Sequence, residues 1–135
     1  MFVVVDASVW VSRLVPEDEF HERVKAWLAN QRERGMEFVS PSLLLAEVGG
    51  AISRRTGSPE LAGKAIRQLE NLPGLRLVEM DHTLSREAAD LAAELGLRGA
   101  DAIYVAVAAR LSLPLVTLDA DQRSRAAKRV DFLSL

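Results

Sequence analysis

Short β-branched runs alternate with helical segments along this chain, and that alternation limits the folds it can adopt. Phe2–Val5 and Leu115–Leu118 are apolar runs typical of buried strands. Strands that alternate with helices favour a mostly parallel sheet with helices on both faces. We therefore predict an α/β fold with a central sheet of four to five strands, in one domain over residues 1–135.

The boundaries of the elements follow from hydrophobic periodicity, with Pro tolerated in a first helical turn and Gly ending helices. The predicted strands are Phe2–Val5, Glu37–Val39, Leu75–Met80, Leu115–Leu118 and, at the edge, Phe132–Leu133. The predicted helices are Ala7–Val15, Glu17–Arg34, one that opens between Ser40 and Ser42 and fades at Gly57, one from Ser58 to near Asn71, Thr83–Leu95, Gly99–Leu111 and Ala120–Arg129.

The composition excludes several classes of protein. The chain has no cysteine, so disulfides and thiolate metal sites are excluded. No apolar run approaches the roughly 18 residues of a membrane span, and the start lacks the basic region of a signal peptide. We therefore expect a cytoplasmic protein without a membrane partner. The net charge of −2 argues against a module that only coats nucleic acid, and is compatible with an enzyme whose acids hold metal.

Two acidic residues follow predicted strands. Asp6 ends the first strand, and Asp119 comes directly after Leu115–Leu118. In an open parallel sheet, ligands bind beyond the carboxyl ends of the strands, so we expect both acids at the same edge. Taken alone, each acid is equally well explained as a helix N-cap.

Two further acids lie inside apolar stretches of predicted helices. Asp101 is the only charged residue between Arg98 and Arg110, and a buried charge is costly unless it is paired or binds a metal. The alternative is a carboxylate that only caps its helix or pairs with an arginine. Glu47 falls within the apolar stripe of its own helix. The alternative for Glu47 is a side chain at the edge of the stripe that reaches water.

Four converging acids would repel one another in the absence of cations. Hard cations such as Mg²⁺ or Mn²⁺ prefer oxygen ligands, and the coordination of Mg²⁺ is often completed by substrate phosphate. Such a site supports activation of water for in-line attack on a phosphodiester. The residues therefore indicate a metal-dependent nuclease centred on Asp6, Glu47, Asp101 and Asp119.

Four segments of the chain resemble the PIN-domain ribonucleases, and within them the VapC-like toxins of toxin–antitoxin pairs. These segments are Val3–Ser8, Pro41–Val48, Arg98–Ala106 and Leu115–Asp119. They occur in the family's order and at its usual spacing, and they span nearly the whole chain. Each segment is a weak signal alone, whereas the four together are specific.

The resemblance implies that Asp6, Glu47, Asp101 and Asp119 are catalytic and hold Mg²⁺ or Mn²⁺, directly or through water. It implies an RNA substrate and an antitoxin protein, which would insert a segment near the acids with an Arg or Lys among them. It also fits a homodimer, since the apolar faces of the helix around Gly49 and of the next helix need cover.

The resemblance further implies supporting roles near the four acids. Ser8 and Thr117 match hydroxyl positions that orient the acids or the attacking water, although a helix start and a strand explain them equally well. Asp121 is either an additional outer ligand or only the N-cap of the basic helix. Gln122 stands where relatives frequently have an apolar residue.

Two other functions fit parts of the same pattern. One is a PIN nuclease of RNA processing or decay outside a toxin–antitoxin pair. The other is a non-nuclease α/β signalling module with a Mg²⁺ pocket, which is disfavoured because Ala7 and Ser8, rather than a second acid, follow Asp6. His21 and His82 are isolated from each other, so we expect both to face solvent rather than a metal.

Overall fold

The computed structural model describes residues 1–135, which form a four-stranded parallel sheet and seven helices. The strands are β1 (Phe2–Val5), β2 (Glu37–Pro41), β3 (Leu75–Val78) and β4 (Leu115–Val116). The helices are α1 (Ala7–Leu14), α2 (His21–Glu33), α3 (Leu43–Thr56), α4 (Pro59–Glu70), α5 (His82–Leu95), α6 (Gly99–Leu111) and α7 (Ala120–Ala126). The strand order is β3-β2-β1-β4.

Strand β1 lies inside the sheet because it is apolar on both faces. Val3, Val4 and Val5 are all fully buried, and consecutive residues of a strand point to opposite faces. Both faces of the sheet are therefore covered at this strand. β1 pairs in parallel with β2 on one side and with β4 on the other, where Val5 lies opposite Val116. This register brings the carboxyl ends of β1 and β4 together.

Helix α6 packs against β1 and β2 and is the most deeply buried helix. Its residues Tyr104–Ala108 are at most 1% exposed, which agrees with its almost uniformly apolar sequence. Asp101 lies in its first turn, where this buried stretch begins. No helix of the protein has both the length and the apolar content that crossing a membrane requires.

The sheet has four strands, and the predicted fifth strand is reduced to one bridge. Phe132 pairs in parallel with Leu115, and the Leu133 N–H donates to the Leu115 carbonyl at 3.0 Å. β2 extends to Pro41, opposite Val78 of β3, so α3 begins only at Leu43. The remaining differences from the predicted elements are at their ends.

The start of α2 differs from the prediction, which placed it at Glu17. The Asp18 carboxylate accepts hydrogen bonds from Ser12 Oγ at 2.8 Å and from the Phe20 N–H at 3.0 Å, which holds a turn before His21. The prediction that His21 faces solvent was wrong. His21 is only 7% exposed, and its Nδ1 lies 2.9 Å from the Ser12 carbonyl oxygen.

Helices α3 and α4 pack closely because Gly49 has no side chain. A Cβ atom at Gly49 would lie 2.9 Å from Ile66 Cδ1, so a larger residue would require the Ile66 side chain to move. This contact covers part of the apolar faces that the sequence analysis expected a homodimer to cover. Leu61 on α4 nevertheless remains 50% exposed.

Candidate active site

Asp6 lies directly after β1 and is 5% exposed. Its Oδ2 accepts hydrogen bonds from the Ser8 backbone N–H at 3.0 Å and from Thr117 Oγ1 at 3.2 Å. Its Oδ1 accepts a longer hydrogen bond, at 3.4 Å, from Gln122 Nε2. Asp6 is therefore the N-cap of α1, and it also faces β4 and α7. Its role as an N-cap is compatible with its expected place at the edge of the sheet where ligands bind.

Two hydroxyls join the start of α1 to the end of β4 beside Asp6. Ser8 Oγ and Thr117 Oγ1 are 3.3 Å apart. Ser8 Oγ accepts from the Leu118 N–H at 3.1 Å, and Thr117 Oγ1 accepts from the Asp119 N–H at 3.1 Å. Both hydroxyls thus lie where the family resemblance implies groups that orient the acids.

Asp101 and Asp119 share one arginine. Arg98 Nε donates to Asp101 Oδ2 at 3.0 Å, and Arg98 Nη2 donates to Asp119 Oδ2 at 2.8 Å. The side chains of the two acids are 15% and 22% exposed, whereas that of Arg98 is 75% exposed. Asp119 also caps α7, since its Oδ1 accepts from the N–H groups of Asp121 and Gln122. The arginine pairing considered for Asp101 therefore exists, and it extends to Asp119.

Glu47 and Tyr104 bring two unsatisfied polar groups into the same region. Glu47 Oε1 and the Tyr104 hydroxyl are buried, and neither has a hydrogen-bond partner. Burial raises the pKa of Glu47, and the nearby Tyr104 hydroxyl opposes that rise although the pair lacks hydrogen-bond geometry. Burial and the charge of Glu47 raise the pKa of Tyr104, so the hydroxyl keeps its proton at neutral pH.

Three of the acids act on one another electrostatically. The pKa of Asp6 is raised mainly by burial, against the hydrogen bonds from Ser8, and the charge of Asp101 raises it further. Beyond burial, the charges of Asp6 and Asp101 also raise the pKa of Glu47, whereas Arg98 lowers it. Mutual repulsion of this kind requires that the acids lie near one another without full compensation by cations.

The profile of the PIN domain family matches residues 3–128 of the chain. That span contains all of the sheet except Phe2, and it contains all four acids. The chain belongs to the PIN domain family. A comparison with curated protein sequences finds no match.

Solved structures share the PIN fold over nearly the entire chain. VapC20 of Mycobacterium tuberculosis, described as a sarcin–ricin loop cleaving toxin, has a TM-score of 0.80 and 20% identity, covering 98% of this chain and 99% of its own. FitAcB of Neisseria gonorrhoeae has a TM-score of 0.70 and 22% identity, with coverage of 98% and 96%. VapBC2 of Rickettsia felis, bound to a promoter DNA fragment, has a TM-score of 0.68 and 14% identity, with 98% of each chain covered.

The Asp121 side chain makes no hydrogen bond with the four acids of this PIN domain, although its backbone N–H donates to Asp119 Oδ1. Its side chain is 64% exposed, and both of its carboxylate oxygens accept from Arg125 Nε at 3.0 Å. The cap of α7 is Asp119 rather than Asp121. The structure therefore gives Asp121 a surface ion pair on α7.

The PIN domain site contains three residues for which sequence analysis predicted no role there: Arg98, Tyr104 and Gln122. Arg98 lies three positions before Asp101 in the sequence, a spacing that brings side chains together on a helix. Its contact with Asp119 has no such signal, because only the sheet brings Asp119 to α6. Gln122 is fully buried, which its position in a charged segment does not indicate.

The acids of this PIN domain suit a divalent cation by their chemistry, but they are not arranged around a single ion. No group of three acidic side chains is arranged to hold one ion, and Arg98 occupies the space between Asp101 and Asp119. The ligand atoms that the four acids offer are carboxylate oxygens, which Mg²⁺ and Mn²⁺ prefer. Glu47 Oε1 is moreover buried without a partner. A cation would have to displace Arg98 or reach part of the group through water.

Proposed function

We propose that this PIN domain is a metal-dependent endoribonuclease that hydrolyses RNA phosphodiester bonds. The observation that carries the proposal is the gathering of Asp6, Glu47 and Asp101, in which the pKa values of Asp6 and Glu47 are both raised. Uncompensated buried acids cost free energy when they ionise. The hydrogen bonds to Asp6 offset only part of that cost, since its pKa is still raised, and a bound cation would offset the rest.

Mg²⁺ or Mn²⁺ is the proposed cofactor, because both are hard cations that bind carboxylates. Asp6 and Asp101 are the proposed principal ligands, with Glu47 and Asp119 binding directly or through water. A bound cation would act as a Lewis acid that offsets charge on the phosphate and favours ionisation of water.

The protein contributes orientation and a proton acceptor. Asp6 is oriented by Ser8 and Thr117 before substrate arrives, so little ordering remains for the reaction itself. Glu47 has a raised pKa and a free carboxylate oxygen, which suit it to accept a proton from the attacking water. The exposed Arg98 guanidinium, once released from the acids, is placed to contact an RNA phosphate.

We further propose that the chain is the toxin of a toxin–antitoxin pair. The support is its fold, which is shared with the toxin VapC20 and with the VapBC2 and FitAcB structures. Arg98 between Asp101 and Asp119 demonstrates that a guanidinium is accommodated among the acids. An antitoxin that inserts an Arg or Lys at this position would block the site by the same chemistry.

The proposed context is a cytoplasmic homodimer in which residues 1–135 act as one domain. Leu61 is half exposed on the outer surface of α4, and a second copy of the chain would cover it. Light scattering of the purified chain is expected to give the mass of a dimer. The Leu61→Glu variant is expected to give a monomer, and a monomeric parent chain would contradict this proposal.

Cleavage of a generic single-stranded RNA tests the nuclease proposal. The parent chain is expected to cut with Mn²⁺ or Mg²⁺ and to stop when EDTA is added. Asp6→Asn and Asp101→Asn are each expected to abolish cutting. Asp90→Asn is the matched control, because Asp90 lies on the surface of α5 and pairs only with Arg86.

Two results would contradict the proposed function. One is cutting that persists in EDTA, which would exclude a divalent cation. The other is undiminished cutting by both Asp6→Asn and Asp101→Asn, which would exclude this site. Cutting by the parent chain that is lost in both variants but retained in Asp90→Asn would support it.

A further inference from the structure

Gln122 is a polar residue in a position that packing alone would fill with an apolar one. It lies on the short helix α7 and has no solvent exposure. Its Nε2 donates to Asp6 Oδ1 at 3.4 Å and to the Asp101 carbonyl oxygen at 3.2 Å. Gln122 therefore contacts two of the segments that carry proposed metal ligands, from a third element of the fold.

The orientation of the Gln122 amide follows from these contacts. With the amide reversed, its oxygen would face the Asp6 carboxylate and the Asp101 carbonyl, so two acceptors would meet a third. In the observed orientation, the nitrogen satisfies both acceptors, while Gln122 Oε1 is left buried without a partner. The amide thus leaves its own oxygen unsatisfied while it donates to Asp6, and burying an unpaired acceptor is unfavourable.

We propose that Gln122 is a positioning residue that holds the Asp6 carboxylate, and the first turn of α6, in place for metal binding. The terminal torsion of an Asp side chain is broad and poorly restricted by itself. Ser8 and Thr117 hold Asp6 Oδ2, and Gln122 holds Oδ1, so both oxygens are restrained. This inference rests on the proposed metal-dependent function.

The same amide sets the spacing between two proposed ligands. Because Nε2 contacts Asp6 Oδ1 and the Asp101 backbone together, it links the end of β1 to the start of α6. Gln122 itself is anchored by its N–H, which donates to Asp119 Oδ1 at 3.2 Å. Residues that orient metal ligands in this way typically change metal affinity by about 10- to 100-fold when they are replaced.

The Gln122→Met variant of the full chain tests this role, because Met has similar length and no donor. We expect the affinity for Mn²⁺, measured by titration calorimetry, to fall about tenfold. We expect Tm without metal to change little, because the loss of a donor to Asp6 Oδ1 is offset by removal of the buried, unsatisfied Gln122 Oε1. Affinity and stability would then change independently, which loss of structure alone does not produce.

Ala126→Gly is the matched control for disturbance of the same helix. Ala126 is fully buried on α7 and lies outside the hydrogen bonds of Asp6. We expect Ala126→Gly to lower Tm while Mn²⁺ affinity stays that of the parent. Equal Mn²⁺ affinities in Gln122→Met and the parent chain would overturn the proposal. A joint fall in affinity and Tm in both variants would also overturn it.

A second measurement needs neither metal nor a Gln122 variant. The side-chain NH₂ signals of Gln122 in an NMR spectrum are expected to shift in Asp6→Asn, because their acceptor loses its charge. The signals of Gln31 and Gln68 are the internal controls and should stay in place. Gln122 signals that do not respond to Asp6→Asn would overturn the proposal. Failure of the chain to cut RNA would leave these results unaffected, so the two proposals fail separately.

Discussion

The four acids of the candidate site form two pairs that differ in how their charge is compensated. The inner pair, Asp6 and Glu47, has neutral hydrogen-bond donors or none, and both pKa values are raised. The outer pair, Asp101 and Asp119, shares the Arg98 guanidinium at 3.0 and 2.8 Å. No cationic side chain pairs with the inner pair, whereas the outer pair shares Arg98.

In the proposed metal-dependent function, a cation would meet no ion pair at Asp6, whereas it would compete with Arg98 for Asp101 and Asp119. The Arg98 side chain is 75% exposed, so solvent weakens both of its ion pairs. The following predictions test the distinction between the pairs, from the largest effect to the smallest.

Replacement of Asp6 should have the largest effect on activity. Asp6→Asn keeps the shape of the inner pair but removes the charge that the cation needs, so we expect RNA cleavage below detection. Mn²⁺ titration of the same variant should show lost or greatly weakened binding. An Asp6→Asn protein that cuts RNA at the rate of the parent chain would contradict the proposed role of the inner pair in cleavage.

Replacement of Glu47 should slow cleavage without abolishing it. Loss of a general base typically costs about 10²- to 10⁴-fold, and we expect Glu47→Gln to fall in this range. Because the pKa of Glu47 is raised, parent activity at limiting metal should increase as pH rises through that pKa. A pH–rate profile should show this limb in the parent and lack it in Glu47→Gln. An unchanged profile would assign the proton acceptor elsewhere.

Replacement of Asp119 should separate its role as the N-cap of α7 from its proposed role as a metal ligand. Asp119→Asn keeps an N-cap for α7, whereas Asp119→Ala loses one, at a cost of about 1 kcal/mol in the free energy of unfolding. We expect both variants to weaken Mn²⁺ binding by about tenfold, as for an outer ligand. Thermal unfolding should distinguish them, with a lower Tm only for Asp119→Ala. Equal Tm values would contradict the capping role.

The inner pair should make metal-free stability depend on pH. For an acid whose folded pKa is raised, the stabilising contribution is complete below its unfolded pKa and is lost as pH rises through the folded pKa. Asp6→Asn and Glu47→Gln should therefore raise the metal-free Tm by a few degrees at pH 7 relative to the parent, and by less at pH 4. Asp90→Asn, on the surface, is the control. A Tm lowered at pH 7 in both inner variants would contradict the argument.

Replacement of Arg98 should have the smallest effect. Arg98→Gln removes the cation that competes for the outer pair, so we expect Mn²⁺ affinity to rise by roughly two- to fivefold. Calorimetry should show this rise while cleavage at saturating metal falls, if Arg98 also contacts the RNA phosphate. A weaker affinity for Mn²⁺ in Arg98→Gln would show that the arginine supports the metal site instead of competing with it.

The sequence by itself determined the class of fold and singled out the four acids. Alternating β-branched runs and helices predicted the parallel sheet, because strand and helix periodicities are local properties. Asp101 was singled out because a charge in an almost uniformly apolar helix is costly. The ends of elements were less accurate: Asp18 delays α2 to His21, and pairing with β3 extends β2 to Pro41.

The tertiary structure alone decided which polar groups meet. Arg98 and Asp119 are 21 positions apart, and Gln122 and Asp6 are 116 apart, so no local pattern predicts either contact. The burial of His21 and the outward ion pair of Asp121 depend in the same way on packing. The sequence identifies the acids, whereas the compensation of their charge depends on distances in space, which only the folded chain sets.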